Sequence, residues 1–206
     1  MEKNLCRIRT ITTFITLDKD PASWEKTLAR AGKFCSNLSA KFQENGYTVQ
    51  SVRMVTNPFG QYLDTSSLES ARSGLDLLTR LLNGPGMPDL RIRFAIGEAK
   101  TREEILLLPP LIKEYGDLCN ACVNIRFDDG IPDNTMVTAA AKAVQKIGQV
   151  TDGGEGNFNF TVNFNCDPFI PYFPAGYRDH GPSSGQTFDR ASFPSARTQS
   201  RGYHGV

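Results

Sequence analysis

Cys166 and Asp167 stand where a strand pattern ends, and they are the side chains of this 206-residue chain best suited to covalent chemistry. The thiol would act as nucleophile or radical relay and the carboxylate as its neighbour. A reactive thiolate is favoured by a positive neighbour, so the adjacent Asp works against activation. The two histidines, His180 and His204, lie close to the C-terminus, beyond the patterned region, which leaves no Cys-His pair. Asp128, Asp129 and Asp133 add carboxylates, but no spacing singles out a pair. Cys119 and Cys122 form Cys-x-x-Cys without the second Cys/His pair of a zinc site or the helix N-terminus of a redox motif. They are expected to be buried structural thiols on opposite faces of a strand start. No metal or cofactor is expected.

Other side chains can bind without reacting. Arg9, Arg53 and Arg126 fall on or near strand ends, and a guanidinium grips carboxylate or phosphate bidentately. The same arginines could instead pair with Asp128, Asp129 or Asp167. Asn57 follows a strand in Thr-Asn-Pro-Phe, and Asn124, Asn163 and Asn165 supply donors and acceptors together. Arg9, Arg53, Asn57, Asn124, Arg126, Asn163 and Asn165 are therefore the expected ligand-binding residues, for a small anionic or polar ligand. The stretch NFNFTVNFN, residues 157–165, alternates aromatic and carboxamide side chains, as in a strand with phenylalanines under a helix and asparagines toward a lumen. The Gly-rich Thr151–Gly156 precedes that strand and does not join strand to helix, so it reads as a turn and not as a phosphate loop.

Alternating elements must hold these residues. CRIRTITTFITL (Cys6–Leu17) is a strand, and Asp20-Pro21 opens a helix whose stripe is Trp24, Leu28, Ala31, Cys35, Leu38 and Phe42. Further strands are Tyr47–Thr56, Leu90–Ile96, Ala121–Phe127 and the asparagine row. Helices lie between them at Ser67–Leu82, after the capping box Thr101-x-x-Glu104, and at Asn134–Ile147. Pro109-Pro110 should kink or restart the third helix. Four strand-helix repeats with short connections specify an α/β fold with a parallel sheet, open or closed into part of a β/α barrel. One polar face recurring on several strands favours the partial barrel. Residues 1–178 are expected to form this domain, and residues 179–206, rich in Gly, Ser, Pro and Arg, a disordered tail.

The 23 basic and 22 acidic residues leave a net charge of +1, which excludes nucleic acid and anionic membrane surfaces as electrostatic partners. No apolar run approaches the roughly 20 residues of a membrane span. With no signal-peptide pattern, a cytoplasmic protein is expected.

Four segments in order resemble a known group of proteins. They are IRTIT (Ile8–Thr12), RMVTNPF (Arg53–Phe59), CVNIRF with DDGIP (Cys122–Pro132), and GNFNFTVNFNCDPFIPYFPAGY (Gly156–Tyr177). Together they resemble domain-of-unknown-function family 711, also described as a pyruvate formate-lyase family. The resemblance implies a fold similar to the ten-stranded barrel of glycyl radical enzymes, and it brings no established activity. Members are about twice as long, so the chain would correspond to the N-terminal half, a truncated barrel. Such a half-barrel would expose two sheet edges and invite homo-oligomerisation through them. The ending SRGYHGV departs from the Arg-x-x-Gly-Tyr of a glycyl radical loop, because Arg201 directly precedes Gly202-Tyr203. Radical chemistry is not expected from it.

Overall fold

Side chains that accept free N–H groups open the second, third and fourth helices and the turn that leads into the first. Asp20 accepts the Ala22 N–H at 3.0 Å ahead of a short 3-10 turn and α1 (Trp24–Glu44). Ser67 caps α2 (Leu68–Leu82), and Asp133 caps α4 (Asn134–Val150). Thr101 and Glu104 form a reciprocal capping box at α3 (Arg102–Tyr115). Thr101→Ala removes the Oγ1 that accepts the Glu104 N–H, and should cost about 1 kcal/mol in a chemical denaturation midpoint without changing the slope.

A computed structural model of the chain describes residues 7–170 and 172–178, with the backbone of 190–192. Its strands in chain order are β1 (Arg7–Ile8), β2 (Ile11–Phe14), β3 (Thr48–Val49), β4 (Ser51–Val55) and β5 (Arg91–Ala99). They continue with β6 (Asn120–Ile125), β7 (Phe127–Asp128), β8 (Ile131–Pro132), β9 (Phe160–Phe164) and β10 (Arg190–Ser192). The main sheet has the order β10-β2-β4-β5-β6-β9. Its five strands from β2 to β9 are parallel, and β10 pairs antiparallel on the β2 edge.

Each new parallel strand is added on the same side of the last. Right-handed crossovers in one constant direction put every connecting helix on the same face. The apolar core accordingly lies between α1–α4 and one side of the sheet, where Ile11, Val52, Met54, Phe94, Ile96, Val123 and Ile125 are buried. This is the geometry of a partial α/β barrel, with the opposite sheet face left free of helices.

Three local expectations need correction. The first strand is not continuous, because β1 and β2 are separated at Arg9-Thr10, and β3 and β4 at Gln50. Ile8 and Ile11 both pack on the core, as do Val49 and Val52, so an odd spacing reverses the alternation at that point. Thr13 is therefore fully buried on the helix side, where an unbroken alternation from Arg7 and Arg9 would put it on the polar side. Secondly, α3 runs through Pro109 and Pro110 without restarting. Thirdly, only Phe160–Phe164 of the asparagine row is strand, because a turned segment with left-handed Gly153 and Gly154 extends to Asn159. Phe158 is consequently 80 % exposed and Phe164 52 % exposed, and neither lies under a helix.

Of the expected tail, residues 190–192 form β10, and the rest lies outside the described residues, including His180, His204 and the SRGYHGV ending. The β2 edge of the main sheet, expected to be open, is paired with β10.

Candidate functional site

The helix-free face presents Thr12 and Phe14 from β2, Arg53 and Val55 from β4, Arg93 and Ala95 from β5, and Asn124 and Asn163 from β6 and β9. Cross-strand register aligns them: Thr12 pairs with Arg53 and Arg53 with Arg93, while Asn124 pairs with Asn163. The chain itself covers this face. After β9, the segment from Cys166 to Arg178 folds back across the sheet. Phe169 meets Phe14 edge-on at 5.3 Å, and Phe173 lies 4.9 Å from the guanidinium carbons of both Arg53 and Arg93. Asn163 Nδ2 donates to the Ala175 carbonyl at 2.9 Å, and the Arg178 N–H to the Thr56 carbonyl at 3.1 Å. The segment also closes on itself, the Phe169 N–H donating to the Tyr177 carbonyl at 2.8 Å.

Two clusters of expected ligand residues result. One lies toward the N-terminal half of the strands and joins Arg53 to exposed Arg9 and to Arg93, a residue absent from the expected ligand set. Arg93 is neutralised by Asp117 at 3.0 Å and bonded to Asn120. Arg53 takes part in no ion pair among the described residues, and its buried Nε has no hydrogen-bond partner. Burial above all, and then the charges of Arg93 and Arg9, lower its pKa.

The second cluster sits at the C-terminal ends of β5, β6 and β9. Asn124 clamps the Cys166 backbone, its Nδ2 donating to the carbonyl at 2.7 Å and its Oδ1 accepting the N–H at 3.1 Å. The Tyr177 hydroxyl donates to the same carbonyl at 2.8 Å and accepts from Asn124 Nδ2 and Arg126 Nη2, both at 3.0 Å. Beside it Lys100 Nζ lies 2.6 Å from Glu98 and 5.8 Å from the Tyr177 ring centroid. Glu98 is 2 % exposed.

The remaining expected residues serve the backbone. Asn57 is fully buried, its Oδ1 accepting the Leu17 N–H at 2.9 Å while its Nδ2 donates to Leu17 and Gln61. Asn165 takes a left-handed φ of 47° and accepts the Phe127 N–H. Asn159 bonds Gly116 and Asn120. The carboxamide row is thus largely spent on holding loops. Cys166 is half-buried and Asp167 exposed. Cys119 lies in the helix-side core, where burial pushes its thiol up to about 12. Cys122 lies on the other side opposite Glu98, and burial with that carboxylate raises its thiol well above the ordinary range. The two lie on opposite faces, as their spacing requires.

Arg93, Glu98, Lys100 and Tyr177 belong to the site without having stood out in the sequence. Arg93 carries a signal, since RIR at residues 91–93 aligns with Arg53 once neighbouring strands are set in parallel. Glu98 carries none. A bulge between Ala95 and Gly97 shifts the β5 register, so Glu98 faces Cys122 on the open side where plain alternation would place Gly97. Among the described residues no three His, Cys, Asp or Glu side chains gather as a metal set, and no helix is long and apolar enough to cross a membrane.

A search of curated proteins returned no match. The family model described as Uncharacterised ACR (DUF711) matches residues 1–188. The parallel strands of the sheet and the segment folded across it both fall within that match, and the chain belongs to the DUF711 family.

Proposed function

We propose that this domain binds a small anionic ligand, a carboxylate or a phosphate, on the helix-free face of its sheet at Arg53. The observation that carries the reading is the state of the Arg53 guanidinium. It lies half-buried against Phe173, beside Arg93 and Arg9, with Nε unpartnered and no carboxylate in ion-pairing range among the described residues. Stacking on an aromatic ring contributes about 0.5–1 kcal/mol. It does not replace the hydrogen bonds and counter-charge a buried cation loses. A ligand with two acceptor oxygens would supply both, in the bidentate geometry that Arg favours. Phe173 covers the site, so ligand entry requires the Cys166–Arg178 segment to shift.

Thermal unfolding in the presence of small carboxylates and phosphates tests the reading. A ligand at about 100 Kd stabilises by about 2.7 kcal/mol, which corresponds to a rise of about 5 °C or more in Tm for a chain of this size. Arg53→Ala should abolish that rise. If no anion stabilises the wild type more than the variant, the Arg53 site is wrong.

A further inference from the structure

The C-terminal ends of β5 and β6 carry a second arrangement that the Arg53 site does not use. Glu98 is a buried carboxylate placed on the open face by a bulge, and the bulge depends on a residue with no side chain. Gly97 has φ +89°, and a Cβ there would stand 2.2 Å from the Asn57 carbonyl oxygen. Bulges of this kind re-aim one side chain at the cost of a ladder position, and they concentrate beside functional sites. The side chain re-aimed here holds a lysine, with Lys100 Nζ 2.6 Å from Glu98 and the lysine side chain 43 % exposed. Burying a carboxylate is costly, and the Lys100 amine beside it offsets part of that cost.

A second cation is held in the same manner. Tyr177 is fully buried, and its hydroxyl accepts from Arg126 Nη2 while being fixed by Asn124 and the Cys166 carbonyl. Arg126 itself is exposed. Two buried anchors therefore each present one solvent-accessible cation, at the end of a parallel sheet where β/α barrels build their sites. The cations stand at different parts of one side chain: Lys100 over the Tyr177 ring, Arg126 at its hydroxyl. A ligand with two acidic groups can meet both cations at once, one on each.

We propose that Lys100 and Arg126 form a binding site for a small dicarboxylate, with Glu98 positioning the lysine and Tyr177 the arginine. Arg126 grips one carboxylate through its remaining N–H groups, and Lys100 pairs with the other. The site shares no ligand-binding side chain with Arg53, although Phe173 and Tyr177 of the same segment touch the two sites.

The test uses the full chain with its amines reductively ¹³C-methylated, which retains their charge, and follows the Lys100 methyl resonance while succinate is added. The resonance is assigned by its absence in Lys100→Gln. Succinate should shift it saturably, with a Kd of about 1 mM or tighter, whereas acetate should bind about tenfold more weakly, a difference of about 1.4 kcal/mol. Arg126→Gln should weaken succinate about tenfold and bring it level with acetate. Arg53→Ala should leave a saturable succinate shift at Lys100 in place. No saturable shift at about 10 mM succinate, or equal affinities for succinate and acetate in the wild type, would overturn the proposal. So would an Arg126→Gln titration identical to wild type. If Arg53→Ala abolishes the shift, the succinate is bound at the other site and this one is wrong.

Discussion

Gly97→Ala should lower the unfolding free energy by about 3 kcal/mol or more, a large part of the margin of an ordinary domain. Two separate costs combine at this residue. Its φ of +89° lies where an L side chain is strained, at about 1–2 kcal/mol. The new Cβ would also meet backbone, 2.2 Å from the Asn57 oxygen and 2.9 Å from the Thr56 oxygen. Backbone cannot rotate aside as a side-chain end does, and Asn57 is itself clamped to Leu17 and Gln61. Relief must come from separating β4 from β5 or undoing the bulge, and either movement turns Glu98 away from the open face. Gly86 supplies the control, with φ +90° and nothing within 4 Å of the place a Cβ would take. Gly86→Ala should cost only the conformational part, about 1–2 kcal/mol. Urea midpoints for the two variants measure the difference. Equal losses would mean that β5 is looser at Gly97 than the close approach to Asn57 implies.

The same bulge explains why the site is only partly readable from sequence. Periodicity works where strands keep step, and it identifies the five parallel strands, the four helices and the side of the sheet that packs on them. Trp24, Leu28, Ala31 and Cys35 are all buried, as their spacing requires. It fails wherever one extra residue enters. Arg9-Thr10, Gln50 and Gly97 each interrupt the alternation, and Thr13 and Glu98 end on the faces that a strict period of two denies them. Asn57 and Asn163 are recognisable as special but not as structural. A carboxamide that holds a backbone group and one that holds a ligand are the same residue type, and only the folded chain distinguishes them, through Leu17 and Gln61 for Asn57 and the fold-back of Cys166–Arg178 for Asn163. That fold-back depends on contacts between residues tens of positions apart, such as Arg53 with Phe173, which no local pattern encodes.

Tyr177→Ala should cost about 3 kcal/mol and release the covering segment before the sheet itself loosens. The ring is fully buried, and truncating a buried aromatic to alanine removes both its transfer free energy and its packing. The hydroxyl matters separately, because it ties together Cys166 at the start of the segment and Asn124 and Arg126 on the sheet. Tyr177→Phe keeps the ring and drops those bonds, so its cost should be smaller, about 1–2 kcal/mol. The two variants therefore separate packing from polar anchoring. Location decides what opens. The segment meets the sheet through a few aromatic and backbone contacts, whereas β4 and β5 lie between paired strands with the helix-side core behind them. Regions with few buried contacts open at lower free energy than the core. Hydrogen exchange by mass spectrometry reads this directly, with the Phe169 and Arg178 amides as reporters, since they bond to Tyr177 and Thr56. In Tyr177→Ala these amides should approach unprotected exchange while peptides from β4, β5 and α2 keep their protection. Uniform loss across all peptides would show that the segment is an inseparable part of the core. Unchanged protection at residues 166–178 would show that Tyr177 does not hold it in place.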